Sequence, residues 1–205
     1  MPPYFESIKS FEDVPITDKG VDTVTFLEAA EGLVKIFVLL GSTAFATVVS
    51  DLKGNIAKVR ARYDAAPSKS GTLEELVINE PADDKKRTAT QGLLWLTRGL
   101  SFTCKALQNA QKNKNEELSV AFTKGYEGSL KQFHTFVVKG VFSLAMKACP
   151  YRAAFYEKLA ADPNGGPPSS QDKVSQDMDK WLAALHNIVT RLEGFYEAGG
   201  HAKGF

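Results

Sequence analysis

Three polar side chains, Asp51, Asn55 and Lys58, stand at offsets 0, +4 and +7 within the stretch DLKGNIAKVRARY. At about 100° per residue, these offsets fall within an arc of about 60° on a helix, so an acceptor, an amide and a cation form one row. The row adjoins an apolar stripe containing Leu52 and Ile56, whereas a surface helix ordinarily places its polar residues opposite the core. The row could be the rim of a pocket that hydrogen-bonds a polar ligand. Taken alone, the stretch favours a solvated face with an i,i+7 charge pair.

A second candidate lies in TQGLLWLTRGLSF, where Trp95, Gly99 and Phe102 share a helix face at i, i+4 and i+7. A glycine inside a helix costs about 1 kcal/mol relative to alanine. The offsetting gain is either room beside the indole for a flat ligand or the close approach of another backbone, and the sequence leaves both open. An exposed tryptophan face is a common platform for sugars, for cations and for nucleic acid bases.

The third candidate is His134, in LKQFHTFVVKGVF, with Leu130, Val137 and Val141 on its own side of a predicted helix. Taken alone, this pattern favours a buried core histidine with a hydrogen-bond partner. The sequence contains no GxSxG, HExxH, Walker or CxxC motif. No nucleophile with a base, paired carboxylates or metal cluster is therefore indicated. We predict a protein that is not an enzyme and needs neither a cofactor nor a metal.

Length, charge and cysteine content narrow the class of protein that the sequence can encode. The 205 residues suit a single domain, 1–205, in which residues 1–20 form an N-terminal arm. The 25 basic and 24 acidic residues nearly balance, which gives no general argument for a nucleic acid partner. Cys104 and Cys149 show no CxxC pattern, so free thiols in a reducing compartment are expected.

The most apolar run, residues 33–49, contains Lys35 and a Gly-Ser-Thr break. It falls short of the roughly 20 apolar residues that span a bilayer. The N-terminal residues mix acids and prolines and lack the pattern of a signal peptide. We therefore expect a cytoplasmic protein, with a monomer as the expected oligomeric state.

The elements that must position these candidates are predicted to be helices, because the proline-free stretches show helical periodicity. The fold class is therefore predicted to be all-α. Helices are expected over 22–40, 44–65, 73–77, 88–112, 117–148, 150–160 and 171–198. The 117–148 helix would bury one apolar stripe: Leu118, Phe122, Tyr126, Leu130, Phe133, Val137, Val141 and Leu144. The last helix would begin after an N-cap at Ser169 or Ser170, bury Trp181, and end at 199–200.

Taken together, three motifs resemble the glycolipid transfer protein family. They are D-x-x-x-N-x-x-K at Asp51, Asn55 and Lys58, W-L-x-R-G-L at 95–100, and His134 before an apolar helix ending in Ala-Cys-Pro-Tyr. The match covers most of the chain and extends to fungal members, including the heterokaryon-incompatibility glycolipid transfer protein. The resemblance implies a two-layer helical sandwich. It also implies a non-enzymatic carrier that binds a glycosphingolipid and transfers it between membranes.

The resemblance also implies roles, position by position. Asp51 would accept hydrogen bonds from the ceramide amide and a sugar hydroxyl, and Asn55 and Lys58 would bind sugar hydroxyls. Trp95 would stack on the first sugar ring, and His134 would donate to the amide carbonyl. The residues implied to line a hydrophobic pocket for the ceramide chains are Phe45, Val48, Phe102, Leu130 and Phe142.

An aromatic residue near basic ones indicates transient, peripheral membrane contact through Phe136, assisted by Lys139, Tyr151 and Arg152. The animal family member is expected to carry tryptophan two residues after the histidine, where this chain has Phe136. The C-terminal tail GGHAKGF does not align clearly with a family tyrosine near the sugar. No tail residue is therefore assigned a role.

The family also has a branch that binds phosphate and carries basic side chains where this chain has Asn55 and Trp95. An amide and an indole suit neutral sugars, whereas phosphate favours Arg or Lys. The chain therefore resembles the glycolipid branch. The alternatives are a phosphosphingolipid carrier, a lipid-gated sensor or interaction protein, and a small helical hydrolase that uses Asp51 and His134 as an acid–base pair.

Overall fold

The computed structural model describes residues 3–41, 43–81, 86–162 and 164–205. Its helices are α1 (Tyr4–Ser7), α2 (Thr23–Leu39), α3 (Ala46–Ala65), α4 (Leu73–Ile78), α5 (Thr88–Lys112), α6 (Leu118–Glu127), α7 (Phe136–Lys147), α8 (Arg152–Ala160) and α9 (Gln171–Gly199). A short antiparallel hairpin pairs β1 (Ile16–Thr17) with β2 (Gly20–Val21). The prediction of an all-α protein is confirmed. Among the described residues, no helix is long and apolar enough to cross a bilayer.

Local capping sets several of the helix ends. The carboxylate of Asp22 accepts a hydrogen bond from the Thr25 N–H at 2.8 Å, and α2 begins there. Ser170 caps α9 through the Lys173 N–H, and Gly200 ends α9 with φ of 62°. The predicted bounds of 22–40, 44–65, 88–112 and 171–198 agree with the structure to within about two residues. Residue 42 of the predicted break and residues 82–85 of the predicted charged loop lie outside the described residues.

The single helix predicted over 117–148 is wrong. The chain instead forms α6, a 3₁₀ turn (Leu130–Phe133) and α7. Ser129 leaves the helical region with φ −145° and ψ −88°, and Thr135 starts a new helix by accepting the Val138 N–H at 3.5 Å. The end of the predicted buried stripe consequently faces solvent, because Phe133, Val137, Val141 and Leu144 are all exposed.

The N-terminal segment, predicted to be a polar arm, is packed against α9. Phe5 and Phe11 place their ring centroids 5.6 and 5.2 Å from that of Trp181. The Tyr4 hydroxyl donates to the Gly32 carbonyl at 2.6 Å and so ties the segment to α2. Trp181 is buried, as predicted from the last helix. The buried side chains of Tyr4, Phe5 and Phe11 therefore belong to the core.

The central helix is α5, which packs against α3, α4, α6 and α9. Two of its glycines allow α3 to approach closely. A Cβ on Gly99 would lie 2.8 Å from Leu52 Cδ2, and a Cβ on Gly92 would lie 2.9 Å from Lys58 Cβ. Close helix packing therefore explains Gly99, because the absence of a side chain there leaves room for Leu52 of α3.

Candidate functional site

The polar row on α3 is connected by hydrogen bonds. Asn55 Nδ2 donates to Asp51 Oδ2 at 3.3 Å, and Lys58 Nζ donates to Asn55 Oδ1 at 3.2 Å. Asn55 is 2% exposed, whereas Asp51 and Lys58 reach the surface. The buried amide therefore donates one of its two N–H groups to Asp51, and its oxygen accepts one hydrogen bond from Lys58. Both ends keep spare capacity, because a carboxylate has about four acceptor sites and an ammonium three donors.

Partial burial shifts the pKa of the acid of this row. Desolvation raises the pKa of the Asp51 carboxyl above its ordinary value, while the charge of Lys58 and the hydrogen bond from Asn55 act in the opposite direction. The carboxylate is thus less well solvated than in water. A ligand that donates hydrogen bonds to it would replace the water it has lost.

Trp95 and His134 form the second half of the site. Both are half-buried, and their rings lie nearly parallel, with centroids 6.1 Å apart and planes at 16°. The Arg98 guanidinium carbon is 4.7 Å from the Trp95 ring centroid and 3.8 Å from that of Phe133. A cation therefore covers part of the indole, and the ring is fixed between α5 and the segment before α7.

His134 is not an inert core residue. Its Nδ1 lies 3.1 Å from the Tyr126 hydroxyl, and its ring contacts Phe142 with centroids 4.5 Å apart. Desolvation lowers the pKa of the imidazole, and the nearby charges of Lys139 and Arg98 lower it further. His134 is therefore neutral at physiological pH, with one nitrogen that donates and one that accepts.

The glycine contacts place the two halves side by side. Gly92 meets Lys58, Gly99 meets Leu52, and Trp95 lies between these two glycines along α5. The indole is therefore level with the row on α3. The structure thus brings together the row on α3, Trp95 and His134.

The residues implied to line a lipid pocket are buried in the hydrophobic core. Phe45, Val48, Phe102, Leu130 and Phe142 are each at most 6% exposed. Phe102 makes ring contacts with Phe142 at 6.2 Å and with Phe37 at 6.5 Å between centroids, and Phe37 contacts Phe45 at 5.6 Å. These rings connect the underside of His134 to the corner between α2 and α3. An apolar region directly beneath the polar site is therefore present.

Of the four residues predicted to contact a membrane, the two aromatic ones are exposed and the two basic ones are half-buried. Phe136 and Tyr151 are 90% and 79% exposed. Lys139 is half-buried and close enough to His134 to affect its pKa. Arg152 is instead held by α8, where its Nη2 donates to the Tyr156 hydroxyl at 3.2 Å. Arg152 is therefore already engaged with protein groups.

Sequence reasoning missed several residues that the structure places at the site. Tyr126 was assigned only to an apolar stripe, and Arg98 only to the W-L-x-R-G-L motif, with no role for either. Val137, Val141 and Leu144 were expected in the core but form an exposed apolar face of α7 with Phe136. The signals were the Gly128-Ser129 pair and the capping residue Thr135, which together mark a helix break.

Asp51 and His134, the acid–base pair of the hydrolase alternative, bond to different residues. Asp51 is bonded to Asn55, and His134 is bonded to Tyr126, so each candidate acid or base has its own partner. Over the described residues, no group of His, Cys, Asp and Glu side chains could hold a metal ion. Burial raises the pKa of the thiols of Cys104 and Cys149 to about 12, which suppresses the nucleophilic thiolate form.

Comparison with known proteins decides the family. The family model described as glycolipid transfer protein (GLTP) matches residues 21–161. The chain belongs to the glycolipid transfer protein family. It is 47% identical over 193 residues to a glycolipid transfer protein of Aureobasidium melanogenum, covering 94% of this chain and 92% of that protein.

Solved structures agree with this glycolipid transfer protein assignment. The fungal glycolipid transfer protein HET-C2 superposes with a TM-score of 0.87 at 44% identity, covering 98% of this chain and 99% of that one. The GLTP-fold of FAPP2, described as selecting simple glycosphingolipids, gives a TM-score of 0.89 at 31% identity, covering 98% of each chain. The predicted helical sandwich of the glycolipid transfer protein type is therefore confirmed.

Proposed function

We propose that this protein is a non-enzymatic carrier that binds a glycosphingolipid and transfers it between membranes. The observation that carries the proposal is the position of the Asp51–Asn55–Lys58 row beside Trp95, whose neighbour His134 contacts a buried set of aromatic rings. Family membership and the names of the relatives support it. The sugar would bind the row and the indole, and the ceramide chains would enter the apolar region beneath.

The energetics favour a carrier in which the apolar region binds the chains and the polar site provides selectivity. Removing a two-chain lipid from a bilayer exposes roughly 30 methylene groups at about 0.8 kcal/mol each, or on the order of 24 kcal/mol. A protein pocket offers a second apolar environment, so most of that cost cancels. Selectivity is then left to the polar group, where a neutral hydrogen bond contributes about 0.5–1.5 kcal/mol and a charge-assisted one about 1.5–3 kcal/mol. Asp51 and Lys58 supply the charge-assisted bonds.

The first test concerns the cargo. We expect transfer of mono- and dihexosylceramides between vesicles, little transfer of ceramide phosphate with the same acyl chain, and no chemical change in either lipid. The reason is that Asn55 and Trp95 present an amide and an indole, not the basic side chains that phosphate favours. The measurement is transfer of matched fluorescent lipids followed by mass spectrometry. Equal or faster movement of the phosphate lipid would make the protein a phosphosphingolipid carrier instead.

Membrane contact is proposed for the exposed apolar face of α7, which consists of Phe136, Val137, Val141 and Leu144. The 3₁₀ turn Thr43–Phe45 packs against α7, the helix that carries this face. Phe45 and Phe142 belong to the buried rings, so a lipid entering here would pass directly from the bilayer to the apolar region. Lys139 lies on the same helix, where it could attract anionic lipid. Both cysteines are free, which supports action in the cytoplasm.

The second test concerns this face. Phe136→Ala is expected to slow transfer several-fold because it removes the most exposed aromatic side chain from the bilayer interface. Phe136→Trp should maintain or increase the rate, since an indole suits that interface. Ile78→Ala, which truncates an exposed apolar residue at the end of α4, is the matched control and should transfer at the parental rate. A parental rate for Phe136→Ala would place the contact elsewhere.

A further inference from the structure

Tyr126 is a buried phenol whose hydroxyl reaches the candidate site. The residue is 4% exposed, and its ring is stacked on Phe142 with centroids 5.0 Å apart and planes at 16°. The edge of Phe102 contacts it at 6.1 Å. Within the described part of the chain, the polar partner of its hydroxyl is Nδ1 of His134, at 3.1 Å. Because Phe142 and Phe102 pack against the ring, the hydroxyl is held next to Nδ1 of the imidazole.

The direction of this hydrogen bond decides which nitrogen of His134 carries the proton. Burial raises the pKa of the Tyr126 phenol, which therefore keeps its proton. The imidazole is neutral, because desolvation, Lys139 and Arg98 all lower its pKa. A neutral imidazole bonded through Nδ1 either accepts the phenol proton there or donates to the phenol oxygen. The Tyr126 hydroxyl is the donor only when Nδ1 accepts. The hydrogen of the neutral imidazole then lies on Nε2.

We propose that Tyr126 is a positioning residue that donates to Nδ1 of His134 and thereby presents Nε2–H to the carbonyl of the lipid amide. The inference rests on the proposed function for the identity of the ligand, but the Tyr126–His134 bond is a property of the free protein. It gives a role to a residue of α6 that touches no part of the polar row. The Tyr126 hydroxyl can donate to Nδ1 only while His134 is neutral, and the cations Arg98 from α5 and Lys139 from α7 both favour that neutral form.

The first experiment examines the full-length protein without lipid. Tyr126→Phe deletes the hydroxyl and keeps the ring that packs on Phe142 and Phe102. Long-range proton–nitrogen NMR of the histidine rings reports the tautomer, the hydrogen bonding of each nitrogen and the midpoint of protonation. His186→Gln and His201→Gln variants assign the His134 signals. In the parent we expect the proton on Nε2 and the Nδ1 shift of a hydrogen-bonded acceptor.

In Tyr126→Phe the Nδ1 signal should move to the shift of an unbonded nitrogen, and the protonation midpoint should rise because the bond that favoured the neutral ring is gone. Tyr156→Phe is the matched control. It deletes another buried phenol hydroxyl, one bonded to Gln111 at 2.7 Å, and should leave the His134 signals unchanged. A proton on Nδ1 in the parent, or His134 signals that ignore Tyr126→Phe, would overturn the proposal.

The second experiment separates this proposal from the proposed function. Tyr126→Phe should lower glucosylceramide transfer about 2- to 10-fold, the effect of one hydrogen bond, and should have no further effect in a His134→Gln background. An unchanged transfer rate in Tyr126→Phe, despite altered NMR signals, would refute the positioning role. A parent that transfers no glycosphingolipid would refute the proposed function, while the NMR result would still decide whether Tyr126 fixes the proton on Nε2.

Discussion

Trp95→Ala is expected to eliminate most glycosphingolipid transfer while the protein remains folded. A nucleic acid base stacked on an aromatic side chain contributes about 1–3 kcal/mol, and a contribution of the same order from the sugar ring corresponds to about 5- to 150-fold in affinity. Trp95 is half-buried at the edge of the core, with Arg98 over its ring, so its removal should cost less stability than removal of a fully buried tryptophan. Vesicle transfer, circular dichroism and thermal melting measure the two effects separately.

Tryptophan fluorescence provides the control for Trp95. The only other tryptophan, Trp181, is 1% exposed and packed against Phe5 and Phe11. Glucosylceramide should quench the emission and shift it to the blue, because a sugar ring then covers Trp95. Trp181→Phe should retain this response, and Trp95→Phe should lose most of it. If Trp95→Ala unfolds the protein and the emission does not respond to glycolipid, Trp95 is simply a core residue.

Asp51→Asn is expected to reduce transfer on the order of 10- to 100-fold, because it replaces a charge-assisted hydrogen bond with a neutral one and leaves Lys58 without its counter-charge. The change keeps the shape of the side chain and the row that Asn55 connects. Asp64→Asn, at an exposed acid on the same helix, is the matched control and should transfer at the parental rate. A parental rate for Asp51→Asn would remove the carboxylate from the recognition site.

The pKa of Asp51 gives this prediction a second readout. Its folded-state pKa is raised, so the folded protein binds a proton more readily than the unfolded chain does. Ionised Asp51 therefore opposes folding at neutral pH, and this opposition is relieved as the pH falls through the raised pKa. Asp51→Asn should consequently leave the melting temperature at neutral pH unchanged or slightly higher. Loss of transfer without loss of stability would show that the carboxylate serves binding.

The sequence by itself determined those parts of the structure that depend on neighbouring residues. Asp22 and Ser170 start α2 and α9 through bonds to backbone groups three residues ahead, and Gly200 ends α9 because it adopts a positive φ. These are local interactions, so their residue types predict where they act. The Asp51, Asn55 and Lys58 row is local in the same sense, because helical spacing alone aligns the three side chains.

Only the tertiary structure decided what surrounds that row. The apolar spacing of 117–148 allowed one long helix, and Ser129 and Thr135 mark the break within it, but the exposure of Val137 and Leu144 on α7 depends on how α7 packs after that break. The role of Gly99 depended on Leu52 of another helix, and the partner of His134 depended on a chain reversal that brings Tyr126 to its Nδ1. Contacts between elements depend on the whole arrangement of helices. The periodicity of one helix predicts which of its faces is buried, but it does not predict which helices pack against that face.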